Sequence, residues 1–254
     1  MRVLVTGAAA GLGRALVERA IDAGARVVAV DRDAAGLSEL DYLYDGHVTT
    51  RHLDLTDREA TERLTDDLGR YFRFDIVLLA AGVSATGRFE AIPAEAYERL
   101  VRTNVTAPLV MASRLVGAEA VNRGGTIVFV SSLSHAVGYP GAAVYAATKD
   151  AVAAYARAVR RPFQRRGVRV LTVFPGPIRT AHAARHAPRD ADAGRRMAPE
   201  VAAAKIWKAV RRRRRELYPG LAASGAGLAG RLMPGATTRA MRKAIFDKLD
   251  GEVW

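Results

Sequence analysis

The stretch Thr6-Gly7-Ala8-Ala9-Ala10-Gly11-Leu12-Gly13 constrains the fold more than any other part of the sequence. It follows a short apolar run, Val3–Val5, and leads into a helical pattern over Leu12–Ala23. Glycine permits a tight turn there and lets backbone N–H groups approach an anion closely. The helix N-terminus adds its partial positive charge. A glycine trio alone is common. Between a first strand and a first helix it predicts a pyrophosphate cradle built from Gly7, Gly11, Leu12 and Gly13.

The rest of the chain repeats that alternation. Apolar runs at Val27–Val30, Ile76–Leu79, Ile127–Val130 and Val170–Phe174 are rich in Val, Ile and Leu, as in strands buried on both faces. Helical patterns lie between them, for example Glu95–Thr103 and Ala147–Arg160. This predicts an α/β chain with a doubly wound parallel sheet, flanked by helices on both faces and linked by right-handed crossovers. At 254 residues the chain supplies one domain, with a core at 1–180 and a different character at 181–254. Residues 181–197 read as a loop. Pro199-Glu200 opens a helix that runs into Arg211–Arg215, a brief strand follows at Glu216–Tyr218, and Pro219-Gly220 stops it. Met241, Ile245 and Leu249 mark an amphipathic helix near Thr238–Leu249.

The chain has no cysteine, which excludes disulfides, thiolate metal sites and thiol nucleophiles. The strand pattern starts at once from Met1, leaving no room for a signal peptide, and no apolar run reaches the length of a membrane span. A cytoplasmic protein is expected. The net charge of +13 is uneven: residues 1–156 hold 16 basic and 19 acidic side chains, residues 157–254 hold 23 and 7. Such a balance suits either a solvated surface or a face for an anionic partner.

Asp31 ends the second apolar run, at a distance from the glycines that suits a carboxylate on the adenosine ribose. A carboxylate there repels a 2′-phosphate and favours NAD; Arg32, next in sequence, can instead pair with that phosphate and admit NADP. Asp54-Leu55 follows the third strand. Asp54 can meet the adenine, with Leu55 supporting it, or serve as a plain loop or helix cap ahead of Thr56 and Asp57.

Tyr145-Ala146-Ala147-Thr148-Lys149 sets a phenol and an ammonium at i and i+4 on one helix face. A phenol titrates near ~10 when unperturbed, too high for a base at neutral pH. A nearby ammonium and an oxidised nicotinamide favour the phenolate, which can then exchange a proton with an alcohol or carbonyl as hydride moves. Ser132, at the end of the Ile127–Val130 run, can hold the substrate oxygen beside the phenol. Asn104 sits inside a helical stretch, where Asn is unfavourable unless its side chain has a task, such as holding a water that relays a proton from Lys149.

Together these residues resemble the short-chain dehydrogenase/reductase family over roughly residues 1–180. The resemblance rests on the Thr-Gly-x-x-x-Gly-x-Gly turn, Asp31, Asp54, Ala81-Gly82, Asn104, Ser131-Ser132, Tyr145-x-x-x-Lys149 and Pro175-Gly176-Pro177-Ile178-Arg179-Thr180. It implies a Rossmann fold, an NAD(P)-dependent oxidoreductase of alcohols and ketones, and a catalytic tetrad of Asn104, Ser132, Tyr145 and Lys149. It also implies that Pro175 and Gly176 line the nicotinamide end, with Ile178 giving a backbone contact and Thr180 a hydroxyl contact to the carboxamide. A homodimer or homotetramer is expected. Leu79-Ala80-Ala81-Gly82 departs from the family's usual Asn-Asn-Ala-Gly, and Pro162 falls inside the catalytic helix, where a kink or early end is expected.

A different class, a non-catalytic NAD(P)-binding redox sensor, remains open, and the complete tetrad argues against it. Arg211–Arg215 followed by Leu221–Leu232 suits weak contact with an anionic membrane surface. Specific nucleic-acid binding is not expected, because five consecutive arginines surround a helix instead of striping it. His182 and His186 have zinc-ligand spacing but no third ligand nearby, so a surface pair in a loop and no metal site are expected. The pocket is expected to draw on Leu133–Val144, the loop after Thr180 and the tail. Val137, Tyr139 and Ala142 point to an apolar alcohol or ketone.

Overall fold

The computed structural model describes residues 1–135, 139–186, 194, 196–220, 225, 229–230, 232–244, 246–248, 251 and 253–254. Seven strands form one sheet: β1 (Arg2–Thr6), β2 (Arg26–Asp31), β3 (Val48–His52), β4 (Phe74–Leu79), β5 (Val121–Val130), β6 (Arg169–Val173) and β7 (Glu216–Leu217). Their order is β3-β2-β1-β4-β5-β6-β7, and every pairing is parallel.

The period-2 geometry of a strand explains why the apolar runs are continuous. Val3 and Val5 enter one core with Val27, Ala29, Ile76 and Leu78. Leu4 enters the other with Val28, Val30, Val77 and Leu79. Helices α1 (Gly11–Asp22) and α8 (Pro199–Arg211) cover the first face through Leu16, Val17, Ile206 and Trp207. Helices α3 (Arg58–Tyr71), α5 (Ala107–Gly117) and α6 (Ala143–Arg165) cover the second through Leu68, Met111, Leu115 and Val152. Further helices are α2 (Ala34–Leu43), α4 (Ala94–Val101), a five-residue α7 (Ala181–Arg185) and α9 (Pro234–Ala244).

The chain builds outward from β1 to β3, then returns to β4 on the other side of β1. That reversal opens a crevice at the carboxyl ends of β1 and β4, the position where ligands bind in doubly wound sheets. Gly7 sits there at φ +71°, and a Cβ on it would come within 2.8 Å of the Ala81 Cα. The two loops therefore touch backbone to backbone.

Several boundaries differ from the sequence expectation. Helix α6 starts four residues earlier than expected, which places Tyr145 within it, and continues past Pro162 to Arg165. Pro162 is exposed and lies in the last turn, so its missing N–H leaves one carbonyl to solvent while buried Phe163 anchors the next residue. The helix expected over Glu95–Thr103 ends at Val101 and passes through a π-helical turn, Arg102–Thr106, into α5. The loop expected after Thr180 begins instead with α7, because the Thr180 side chain accepts the Ala183 N–H at 3.0 Å and caps it. The helix after Pro199 stops at Arg211 rather than running to Arg215. The late amphipathic helix begins at Pro234; Ile245 and Leu249 lie outside the described residues, as do Leu221 and Val137.

Candidate active site

The glycine turn supplies an open helix terminus. Ala10 precedes α1 with no side-chain cap, and no acid occupies the first turn. The first N–H groups of α1 thus keep their capacity for an anion. A Cβ on Gly13 would overlap the Gly7 carbonyl, and one on Gly11 would lie 2.9 Å from Thr180 Cγ2. Leu12 packs against the core and fixes the helix entry. These features fit a dinucleotide pyrophosphate.

Asp31 is partly buried at the end of β2. Its Oδ2 accepts the Ala9 N–H at 2.9 Å and its Oδ1 accepts the Asp33 N–H at 3.0 Å. The carboxylate is thereby tied to the glycine turn. Arg32 is exposed, and its carbonyl contacts the His52 ring at 2.9 Å. Asp54 is exposed and accepts the Thr56 N–H at 2.9 Å, which is loop bonding, while Asp57 caps α3. Leu55 is buried beneath it.

At Ala81-Gly82 the hydrogen bonding comes from Thr6, whose Oγ1 accepts the Ala81 N–H at 3.2 Å. A Cβ on Gly82 would stand 3.2 Å from Lys149 Nζ and 3.4 Å from Asn104 Oδ1. Asn104 is buried in the π-helical turn. Its Oδ1 accepts the Val83 N–H at 2.9 Å, and its Nδ2 donates to the Val83 carbonyl at 2.9 Å and to Thr148 Oγ1 at 3.0 Å. Both amide protons are used. Oδ1 accepts a single N–H and keeps a second lone pair for the expected water, while the side chain also staples the strap after β4 to α6.

Lys149 is buried, and its ammonium donates to the Val130 carbonyl at 3.0 Å. Burial pulls its pKa down to about 8. Its Nζ lies 5.7 Å from the centroid of the Tyr145 ring. Ser131 Oγ donates to the Lys149 carbonyl at 2.8 Å and fixes α6 to the end of β5. Burial raises the Tyr145 phenol above its ordinary value, and the nearby Ser132 hydroxyl draws it partly back. Desolvation sets the direction, against the expected downward pull, and Tyr139 adds to the rise. Ser132 Oγ also accepts the Ser134 N–H at 3.2 Å, inside a 3-10 turn, Leu133–His135.

Pro175 accepts the Leu133 N–H at 2.9 Å and so ties the loop after β6 to that turn. A Cβ on Gly176 would meet Leu133 Cδ2 at 3.9 Å, ordinary packing. Ile178 pairs with Met197 in a parallel bridge, bonded through Pro177 O and Arg179 N. That pairing turns the N–H and C=O of Ile178 itself to the opposite side. The Thr180 hydroxyl is used as an acceptor by α7, which leaves its proton for donation.

The histidine pair was not foreseen in its real setting. His182 and His186 lie on and just after α7, half-buried, with ring centroids 4.5 Å apart. His186 Nδ1 contacts Thr86 Oγ1 at 3.1 Å. Burial, then the charges of His186, Arg185, Lys149 and Arg32, pull the His182 pKa down to about 4. This correction to an expected surface pair follows from Thr180 nucleating a helix that docks over the crevice. No cluster of three metal-ligating side chains occurs among the described residues.

A cavity of about 250 Å³ lies beside α6, lined by Phe89, Ile92, Pro140, Val144, Arg242 and Phe246 among others. Tyr145 packs against the cluster that contains Ile92. The expected stretch before Val144 and the tail both contribute, and the segment around Phe89 does so unforeseen. Ala142 is fully buried, so it does not line the cavity; Tyr139 lies close enough to bias the Tyr145 phenol.

A parallel doubly wound sheet with a glycine cradle and a Ser-Tyr-Lys cluster at one crevice defines the class of dinucleotide-dependent oxidoreductases. The family model for short chain dehydrogenases matches residues 1–191, and the chain belongs to that family. Mouse L-fucose dehydrogenase is 32% identical over 179 residues, covering 70% of this chain but only 65% of the relative. A short-chain dehydrogenase structure from Streptomyces avermitilis superposes with TM-score 0.80 at 29% identity, covering 96% of this chain and 94% of its own. A second, from Sphingobium yanoikuyae in complex with NADPH, gives TM-score 0.78 at 27% identity and covers 90% of this chain and 92% of its own. No described helix is long and apolar enough to cross a membrane.

Proposed function

We propose that this protein oxidises an apolar secondary alcohol, or reduces the corresponding ketone, with Tyr145 as the acid–base group. The observation that carries the reading is the buried Lys149 ammonium, held by the Val130 carbonyl 5.7 Å from the centroid of the Tyr145 ring, with the Ser132 hydroxyl near enough to act on the phenol. When bound, the nicotinamide supplies or accepts the hydride. In the reducing direction the Tyr145 and Ser132 hydroxyls hold the carbonyl oxygen. The phenol proton passes to that oxygen as charge develops on it. Lys149, mostly protonated below pH 8, stabilises the resulting phenolate. In oxidation the same proton travels back. Asn104 and Ser131 keep the helix that bears Tyr145 in register with the strand ends.

The apolar side chains Phe89, Ile92, Val144 and Phe246 support an apolar substrate. The Asp31 carboxylate at the ribose position supports NAD over NADP. Gly7, Gly11, Leu12 and Gly13 would hold the pyrophosphate, and Ile178 and Thr180 the carboxamide end. The test is a coupled screen of aliphatic and aromatic secondary alcohols and ketones against polyols and sugars, with both dinucleotides. Turnover confined to sugars would refute the apolar assignment. Dinucleotide binding without turnover on any of them would favour a redox sensor.

A further inference from the structure

Because the sheet is wholly parallel, all its strands start along one edge, opposite the crevice that holds the proposed active site. Six neighbouring strands bring an arginine to that edge: Arg26 opens β2, Arg2 opens β1, Arg73 precedes β4, Arg123 is third in β5, Arg169 opens β6 and Arg215 precedes β7. At the usual strand spacing the row is about 24 Å long. Four of these six come from the half of the sequence in which acids outnumber bases, so the row is a product of topology and not of the basic tail.

Three of the arginines are held in place without being neutralised. Arg2 lies over the Phe72 ring at 5.2 Å, Arg73 donates to the Gly69 and Phe72 carbonyls, and Arg169 Nε donates to Thr126 Oγ1. Among the described residues, none of the six forms an ion pair with a carboxylate. Two carboxylates at this edge have other partners, Asp75 accepting from the Arg2 N–H and Asn122 and Glu216 pairing with Arg160 at 3.5 Å, while Asp45 and Glu119 are exposed. Arg213 thickens the row from a left-handed backbone position, φ +54°, where glycine is the usual residue.

The apolar neighbours of the row decide which polyanion it fits. Helices in this fold run back towards the strand starts, so α2 and α3 end at the same edge. There Tyr42 is 86% exposed, Leu43 52% and Tyr71 68%. Tyrosine and leucine at that depth suit the headgroup boundary of a bilayer. Among the described residues no helix or ribbon projects from this edge to enter a nucleic-acid groove.

We infer that the amino edge of the sheet docks on an anionic lipid surface, with the arginine row on the lipid phosphates and Tyr42, Leu43 and Tyr71 at the headgroup level. The active-site crevice then faces away from the bilayer and stays open.

The test is flotation of the full chain with phosphatidylcholine vesicles, with and without phosphatidylserine, at low and high salt. Binding is expected only with phosphatidylserine and is expected to weaken with salt. Arg26→Gln with Arg123→Gln should lower partitioning about 25-fold, about fivefold for each charge. Arg63→Gln with Arg102→Gln removes the same charge from other surfaces and should leave most of the binding. Tyr42→Ser with Tyr71→Ser should weaken vesicle binding at unchanged charge. A dinucleotide thermal shift checks that each variant is folded, and Tyr145→Phe should float like wild type, which separates this inference from the proposed catalysis. Absence of phosphatidylserine-dependent binding at low salt would overturn it. So would equal losses in the two arginine pairs, or tighter binding to an oligonucleotide than to the vesicles.

Discussion

Lys149 Nζ donates to the Val130 carbonyl at 3.0 Å, so a buried ammonium is tied to the end of the strand that carries Ser131 and Ser132. The bond orients the amine beside the Tyr145 ring, and the burial has a measurable cost. The amine has a folded-state pKa of about 8 against an ordinary value of 10.5.

The sign of that cost is fixed by linkage. Between pH 8 and 10.5 the unfolded chain holds a proton on this amine that the folded chain has lost, so stability rises with pH across that window. Below pH 8 the gain is absent. Lys149→Met should remove this rise, and the difference between wild type and variant in urea unfolding should change by about 3 kcal/mol from pH 7.5 to 10.5. A pH-independent difference would mean that the amine is solvated.

The histidines act at the other end of the scale. His182 titrates near 4 and His186 below its ordinary value, so each holds fewer protons folded than unfolded. Stability conferred by the neutral forms is present above pH 6.5 and is lost as pH falls towards 4. His182→Gln should flatten the acid limb of a thermal melting profile by about 1–2 kcal/mol.

Gly13→Ala places a Cβ on the Gly7 carbonyl oxygen, a backbone atom that has no room to yield. A loss of about 1–3 kcal/mol in stability and a larger loss of dinucleotide affinity are expected, read by melting with and without cofactor.

Asp31→Asn keeps an oxygen for the Ala9 N–H and removes the charge. The ratio of kcat/KM for NADP over NAD should rise about 10- to 100-fold as repulsion of the 2′-phosphate disappears.

Local chemistry was legible in the sequence; spatial convergence was not. The glycine turn, Asp31 and the Tyr145–Lys149 spacing are each set by a few adjacent residues; the turn and Asp31 fall where the pattern placed them, and the helix of the Tyr145–Lys149 pair starts four residues earlier. The helical setting of Asn104 implies a task for its side chain but not its partners, Val83 and Thr148, because these lie 21 and 44 residues away. His182 and His186 read as a loop pair because one hydroxyl, Thr180 Oγ1, decides whether a helix starts there. Burial at Tyr145 reversed the expected direction of its pKa. The arginine row is spread over six strands and follows no sequence period.

The most direct measurement is single-turnover hydride transfer by Tyr145→Phe with a competent alcohol or ketone and its dinucleotide. Loss of about 10²–10⁴-fold in rate, with dinucleotide affinity retained by thermal shift, is the expected result. A variant that transfers hydride at the wild-type rate would remove Tyr145 from the chemistry.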